Sequence, residues 1–270
     1  SMTFSANVNA GSSSYNTFNA ERPNDYLANT FQSNVAWSKS WKIGRLSANL
    51  RHSQNTVTRR VDMSLPQVAF TANRFYPFKN PNRIGSRWYD KIGVSYTSEF
   101  QNTISVADTL FRNEYLYELR KYMRNGIRQS MPIQTSFNVL KYFTLTPSVN
   151  LNSVTQFSTI RKTWDATNEV VVTDTINGPR MNFDWNASVA LSTRIFGTFK
   201  FRGTKYSMAR HTMTPSLSMT YVPDFTQSKF GYFETVQTSA SGSTALYSVF
   251  DGGIYGAPPF GRVGALGFSL

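Results

Sequence analysis

Side chains suited to covalent or metal chemistry are scarce in this sequence. Its 270 residues include two histidines, His52 and His211, and no cysteine. Without thiolates, no zinc–thiolate centre or disulfide can form within the chain. The two histidines fall on separate apparent strands and read as hydrogen-bonding residues. Acidic residues number 15 and are scattered; Glu114 and Glu118, beside Arg120, read as solvated charges. No GxSxG, HExxH or P-loop pattern occurs. The expectation is therefore no catalytic constellation, no cofactor and no metal.

Arginine and proline are more distinctive. Lysine and arginine total 28 and the formal charge is +13, which predicts an anionic partner or surface. Arg51, Arg59, Arg60, Arg74, Arg83, Arg87, Arg161, Arg180, Arg202, Lys205 and Arg210 lie mostly near apparent strand ends. Either they mark the rims of a hydrocarbon band, or they bind phosphates bidentately. Arg51, Arg74, Arg161, Arg202 and Arg210 are the candidate lipid-phosphate contacts. Pro66, Pro132, Pro147 and Pro215 interrupt apparent strands, and each deletes a ladder hydrogen bond. They mark strand ends and bulges, or they loosen strand pairing locally.

The elements that position these residues are two-faced strands. From 183 to 191, Phe183, Trp185, Ala187, Val189 and Leu191 alternate with Asp184, Asn186, Ser188 and Ala190. Met213, Pro215, Leu217, Met219 and Tyr221 alternate with Thr and Ser. The run from Tyr142 to Asn152 is the cleanest. A period of two denotes a strand with unlike faces. Each run has roughly the 9–11 residues of a tilted strand that crosses a bilayer. The polar parity is Ser, Thr and Asn, which suits an enclosed wet interior.

Further strands fall at Thr3 to Ala10, Asn29 to Trp41, Leu46 to Arg51, Ile92 to Phe100 and Met131 to Val139, and at the chain end. Thr155 to Trp164 and Glu169 to Thr175 read as a hairpin over residues 165–168. Between 61 and 78 the apolar parity switches at Pro66–Gln67, which predicts a bulge. Phe75, Tyr76 and Phe78 suit either a membrane interface or a packed loop base. Gly11 to Arg22 reads as a polar loop. Leu110 to Asn125 has helical spacing, with Gly126 placed as a C-cap, and predicts one short helix in a long loop.

No run approaches the roughly 18 apolar residues of a spanning helix. Residues 1–6 show neither a basic segment nor an apolar one, so the expectation is a mature chain or one cut from a longer protein. The sum is an all-β, transmembrane antiparallel β-barrel of about a dozen strands, occupying residues 1–270 as one region.

Several blocks resemble a known family. They are MSLPQVAFTANRFYPFK (63–79), WYDKIGVSYTSEFQN (88–102), MRNGIRQSMPIQTSFNVLKYFTLTPSVN (123–150), FDWNASVALSTRIFGTF (183–199), RHTMTPSLSMTYVPDF (210–225) and YSVFDGGIYGAPPFGRVGALGFSL (247–270). In order and type they resemble the barrel of the LptD family, outer-membrane lipopolysaccharide-assembly proteins, in its Bacteroidota-type branch. The resemblance implies integral residence in the outer membrane of a Gram-negative bacterium. It implies lipopolysaccharide as cargo, an LptE-like plug lipoprotein, periplasmic bridge proteins and outer-membrane lipids as partners, and no nucleic acid. A barrel of that kind releases its cargo sideways, where loosened strands would serve. The family's N-terminal jellyroll has no match here and its barrel is larger, so this is expected to be one part of it. The alternatives are another outer-membrane barrel, a pore or solute transporter, and a soluble basic β-protein that binds nucleic acid.

Overall fold

The computed structural model describes residues 1–9, 30–80, 82–85, 87–111, 118–200 and 208–270. The polar loop read at Gly11 to Arg22 lies outside them, as do Arg202 and Lys205. The strands are β1 (Met2–Asn7), β2 (Thr30–Ser40), β3 (Gly44–Asn55), β4 (Arg60–Phe75), β5 (Gly93–Ala107), β6 (Arg124–Gln134), β7 (Phe137–Val139), β8 (Phe143–Asp165), β9 (Val170–Thr193), β10 (Ile195–Lys200), β11 (Met208–Met213), β12 (Ser216–Val222), β13 (Phe233–Gln237), β14 (Thr244–Ser248) and β15 (Val263–Ser269). Ten join in the order β1-β2-β3-β4-β5-β6-β8-β9-β12-β15, and β7 pairs with β8 to complete an eleven-stranded sheet. β10 with β11, and β13 with β14, form two small separate sheets. Among the described residues the large sheet is open, because β1 and β15 each have one neighbour. Among the described residues no helix is long and apolar enough to cross a membrane.

Register aligns the alternating residues into rows. On one face, Phe4, Trp37, Ala48, Val68, Phe100 and Ile127 lie abreast across six strands. Farther along, Leu145, Leu191, Leu217 and Phe268 form another row of that face, beside Pro147, Val189, Met219 and Leu266. The row through Ile127 continues to Thr155 and Met181, past the apolar runs of β8 and β9. The apolar band is thus staggered along the strands, as it is where strands tilt against a membrane normal. It is not a core: Leu217, Met219, Leu266 and Phe268 are 52%, 58%, 78% and 73% exposed.

β8 and β9 have 23 and 24 residues, about 75 Å at the usual strand rise. The expected separate strands Tyr142 to Asn152 and Thr155 to Trp164 are one strand, and 170–193 is another. The ladder continues through their polar interval, and only a bulge opposite Gln156 and Ser158 disturbs it. The hairpin closes over residues 166–169, with Asp165 Oδ1 accepting from the Thr167 and Asn168 backbone amides and Glu169 left-handed. The β3–β4 turn repeats this device: Asn55 Oδ1 accepts from Val57 and Thr58, and Arg59 is left-handed. Both turns need a short side-chain acceptor at the first position.

The expected helix at Leu110 to Asn125 is corrected. The described part holds two 3-10 turns, Asp108–Phe111 and Glu118–Tyr122, and residues 112–117 lie outside the described set. Leu119 is buried against Ile104 and Val106, with Leu110 and Phe111 beside it. Gly126 is no C-cap; it lies within β6, paired with Gln101 and Gln156. The run from Met213 also divides: β11 ends at Met213 and β12 starts after Pro215.

The buried apolar centre lies in the connection between β12 and β15. Val236, Tyr247, Val249 and Phe250 form a cluster against Ile160, Val171 and Tyr232. Rings run on from it, Tyr232 to Phe230 at 5.6 Å and Phe230 to Phe225 at 5.5 Å. Val249 O accepts from Ile160 N (2.9 Å) and Tyr247 Oη from Lys162 N (3.1 Å). Phe183 N donates to Tyr232 Oη (2.9 Å). The connection therefore covers the β8 edge beyond β6 and the β9 edge beyond β12. Phe250 is fully buried. Replacing it by alanine should destabilise this connection by about 3–5 kcal/mol. Limited proteolysis of the folded protein should then cut within 223–262 at lower denaturant concentration; unchanged resistance would contradict this packing.

Candidate functional site

The face opposite the apolar band is a continuous hydrogen-bonded polar surface. Thr144, Ser192, Ser216 and Ser269 lie directly behind the Leu145 row. Ser148 and Ser188 hydroxyls are 2.7 Å apart, and Asn150 Nδ2 donates to Asn186 Oδ1 at 2.9 Å. Ser130 donates to Asn152 Oδ1 (3.0 Å), and Asn152 Nδ2 to Asp184 (2.9 Å). At the other end Thr3 and Ser38 meet at 2.7 Å, and Arg45 donates to Ser38 at 3.0 Å. These cross-strand pairs follow from register: like small polar residues stand opposite one another on every second position.

The glycine-rich stretch 251–262 crosses this face as a strap. Tyr255 Oη donates to Glu99 O on β5 at 3.1 Å, and Gln156 Nε2 on β8 donates to Gly256 O at 2.9 Å. Arg128 on β6 stacks on the Tyr255 ring at 4.9 Å. Desolvation, with Glu99 nearby, pushes the Tyr255 hydroxyl up to about 12, so it remains a donor. Beside the strap is a cleft of about 570 Å³ lined by Arg128, Asn152, Asn182, Asp184, Tyr255 and Pro258, among others. Two nearly fully buried side chains, Gln156 and Asn182, have carbonyl oxygens with no hydrogen-bond partner among the described residues.

The candidate arginines do not form one site. Arg51 is on β3 in a mixed cleft lined by Asn34, Asp62 and Ser105 together with Met63 and Ile104. Arg74, near the end of β4, donates to Gln134 O (3.0 Å) and stacks on Tyr76. Arg161 is exposed on β8 in register with Asp174. Arg210, on β11, lies 4.3 Å from the Phe196 ring. Arg202 lies outside the described residues.

Each candidate proline coincides with a break in pairing. Pro66 sits in a bulge of β4 that both β3 and β5 register, and Asn102 donates to Leu65 O (2.8 Å). At Pro132 the β5–β6 ladder skips from Val94–Ile133 to Thr97–Ser130. Pro147 lies where β8 changes partner from β6 to β7, and its carbonyl accepts from Thr135 N. Pro215 precedes β12, and its carbonyl accepts from Thr193 N. Pro132 and Pro147 are brought to the neighbouring strands β6 and β8; Pro66 and Pro215 are not.

The strap contacts have no counterpart in the alternation or motifs of the sequence around 251–261. One available signal is Gly126, a glycine on the polar parity of a strand.

The loop between β4 and β5 carries a separate charged knot. Asp90 is buried; it accepts from Arg87 N (2.7 Å) and pairs with Arg83. Arg83 and Arg87 both donate to Tyr89 Oη. The Arg87 amide and the Arg83 guanidinium hold the Asp90 carboxyl below the usual carboxylate range. Its contribution is thus present at neutral pH and lost as pH falls through that lowered value. At neutral pH trypsin should cut D90N after Lys79 and Arg87 faster than it cuts wild type. Equal cleavage rates would contradict the knot.

Among the described residues there is no cluster of three or more His, Asp or Glu able to hold a metal ion. No curated protein and no solved structure matches the chain. The family model described as LptD protein matches residues 1–270. The two-faced antiparallel sheet and this full-length match agree, and the chain belongs to the LptD family of outer-membrane lipopolysaccharide-transport proteins.

Proposed function

We propose that this chain is part of a β-barrel that delivers lipopolysaccharide to the outer leaflet of the outer membrane, without covalent chemistry. The observation that carries this reading is the register-aligned apolar face at Leu145, Leu191, Leu217 and Phe268, half-buried at the first two and exposed at the last two, backed by hydroxyls at Thr144, Ser192, Ser216 and Ser269. The apolar face meets acyl chains, where exposure to water would be costly. The hydroxyl face borders enclosed water and the glycan of the cargo. β1 and β15 each leave one backbone edge without a strand, which lipid does not tolerate. Further strands of a larger barrel complete those edges, and an LptE-like lipoprotein occupies the lumen. A periplasmic bridge supplies the cargo. Arg74, Arg161 and Arg210 meet lipid phosphates at strand ends, and Arg51 faces the lumen. The weakened ladder at Pro132 and Pro147 is a place where strands separate most readily.

Depletion of the intact protein tests the reading. Newly made lipopolysaccharide should accumulate short of the cell surface, while other outer-membrane proteins still assemble. Normal surface arrival with loss of a solute's uptake would instead assign a pore or transporter.

A further inference from the structure

The strap over the polar face has a fixed base and a thin crossing segment. At the base, Phe225, Val249 and Phe250 are 2%, 1% and 0% exposed. The crossing segment 251–262 is glycine, alanine and proline apart from Asp251, Ile254, Tyr255, Phe260 and Arg262. Gly252, Gly256 and Gly261 have φ of 73°, 72° and 71°, and a Cβ at any of them would meet nothing within 4 Å. These are pivots: left-handed backbone angles that glycine adopts without steric cost, in open surroundings. The contact with the sheet is close for a different reason. A Cβ on Gly126 would meet Ile254 Cγ2 at 2.8 Å and Tyr255 at 3.0 Å, and one on Gly253 would overlap the Gln156 amide. Two glycines therefore allow strap and sheet to touch.

The docked strap is held by Tyr255 to Glu99 O, Gln156 to Gly256 O, the Arg128–Tyr255 stack, the Phe260–Phe233 ring contact at 5.7 Å and the buried Pro258. Beneath or beside it, Gln156 Oε1 and Asn182 Oδ1 stay buried and unpartnered among the described residues. Water reaching them on release returns free energy that docking withholds. The closed arrangement is thus neither loosely placed nor deeply stabilised, as a two-state element requires.

We propose that residues 251–262 are a hinged latch: closed, they lie across β5, β6 and β8 and block the polar face; swung out on their glycines, they open it. That this face borders the transport path rests on the function proposed above; the latch itself does not. Its position is intrinsic to this chain and needs no partner subunit to close.

The absence of cysteine from these residues makes the test direct. Q156C with G253C, in the intact protein, places two thiols within bridging reach. In native membranes the pair should oxidise, as neither single variant can. Oxidation should lower the ion conductance of the purified protein in planar bilayers and cut surface arrival of lipopolysaccharide several-fold, and reductant should restore both. G126V, which crowds Ile254 and Tyr255 while suiting a strand, should raise conductance and reduce oxidation of the pair. A folded protein whose pair never oxidises, or one whose oxidised pair leaves conductance unchanged, overturns the latch. If conductance responds but lipopolysaccharide arrival is insensitive even to depletion, the latch stands and the cargo assignment falls.

Discussion

Backbone hydrogen bonding is the constraint on which this structure depends. A sheet in lipid has no water to satisfy a bare N–H or C=O, so every strand needs a neighbour along its length. Antiparallel ladders meet most of that demand. Where they stop, other groups take over. Tyr232, Tyr247 and Val249 bond the exposed edges of β9 and β8 beyond their partners. Asn102 reaches Leu65 O at the β4 bulge, and the carbonyls of Pro147 and Pro215 still accept from Thr135 and Thr193. The prolines remove donors, and the surrounding chain still bonds the carbonyls of Leu65, Pro147 and Pro215.

Within that constraint, alternation divides the sheet's chemistry. Because register is antiparallel and unbroken across residues 143–156 of β8, 180–193 of β9, β12 and β15, one parity collects mainly Leu, Val, Met and Phe, and the other mainly Ser, Thr and Asn. A single-residue slip would invert both faces at once. The hydrogen bonds Ser148–Ser188, Asn150–Asn186 and Ser130–Asn152–Asp184 exist only in this register, and so reinforce it. Among the described residues the buried apolar clusters are local, under the β12–β15 connection and beneath Leu119. Among the described residues the candidate arginines spread over several strands.

Period-two patterning was enough to read most of this sheet, because alternation in 143–151, 183–191 and 217–221 is a direct trace of two unlike environments. The parity switch at Pro66–Gln67 likewise announced its bulge. The reading failed where tertiary contacts decide. Leu119 and Tyr122 have helical spacing, yet Leu119 serves an apolar cluster with Ile104 and Val106 through a short 3-10 turn, and strand begins again at Arg124. Spacing over so few residues cannot separate one turn from a helix. Gly126 looked like a cap because its true reason, the approach of Ile254 and Tyr255, lies over a hundred residues away in sequence. The merger of strands into the long β8–β9 hairpin is hidden because its far half, past the apolar band, lacks the strict alternation of residues 143–151 and 183–191. Nothing in the local sequence of 251–262 reveals which strands it crosses.

The most direct measurement is a single-cysteine scan along 143–151 in intact outer membranes, read by a charged thiol reagent and by quenching of a fluorescent label with lipid-borne spin probes. The account predicts strict alternation: Leu145, Val149 and Leu151 positions quenched by lipid and closed to the reagent, and Thr144, Thr146, Ser148 and Asn150 positions the reverse. Uniform accessibility, or odd positions shielded from both probes as in a dry protein core, would contradict it.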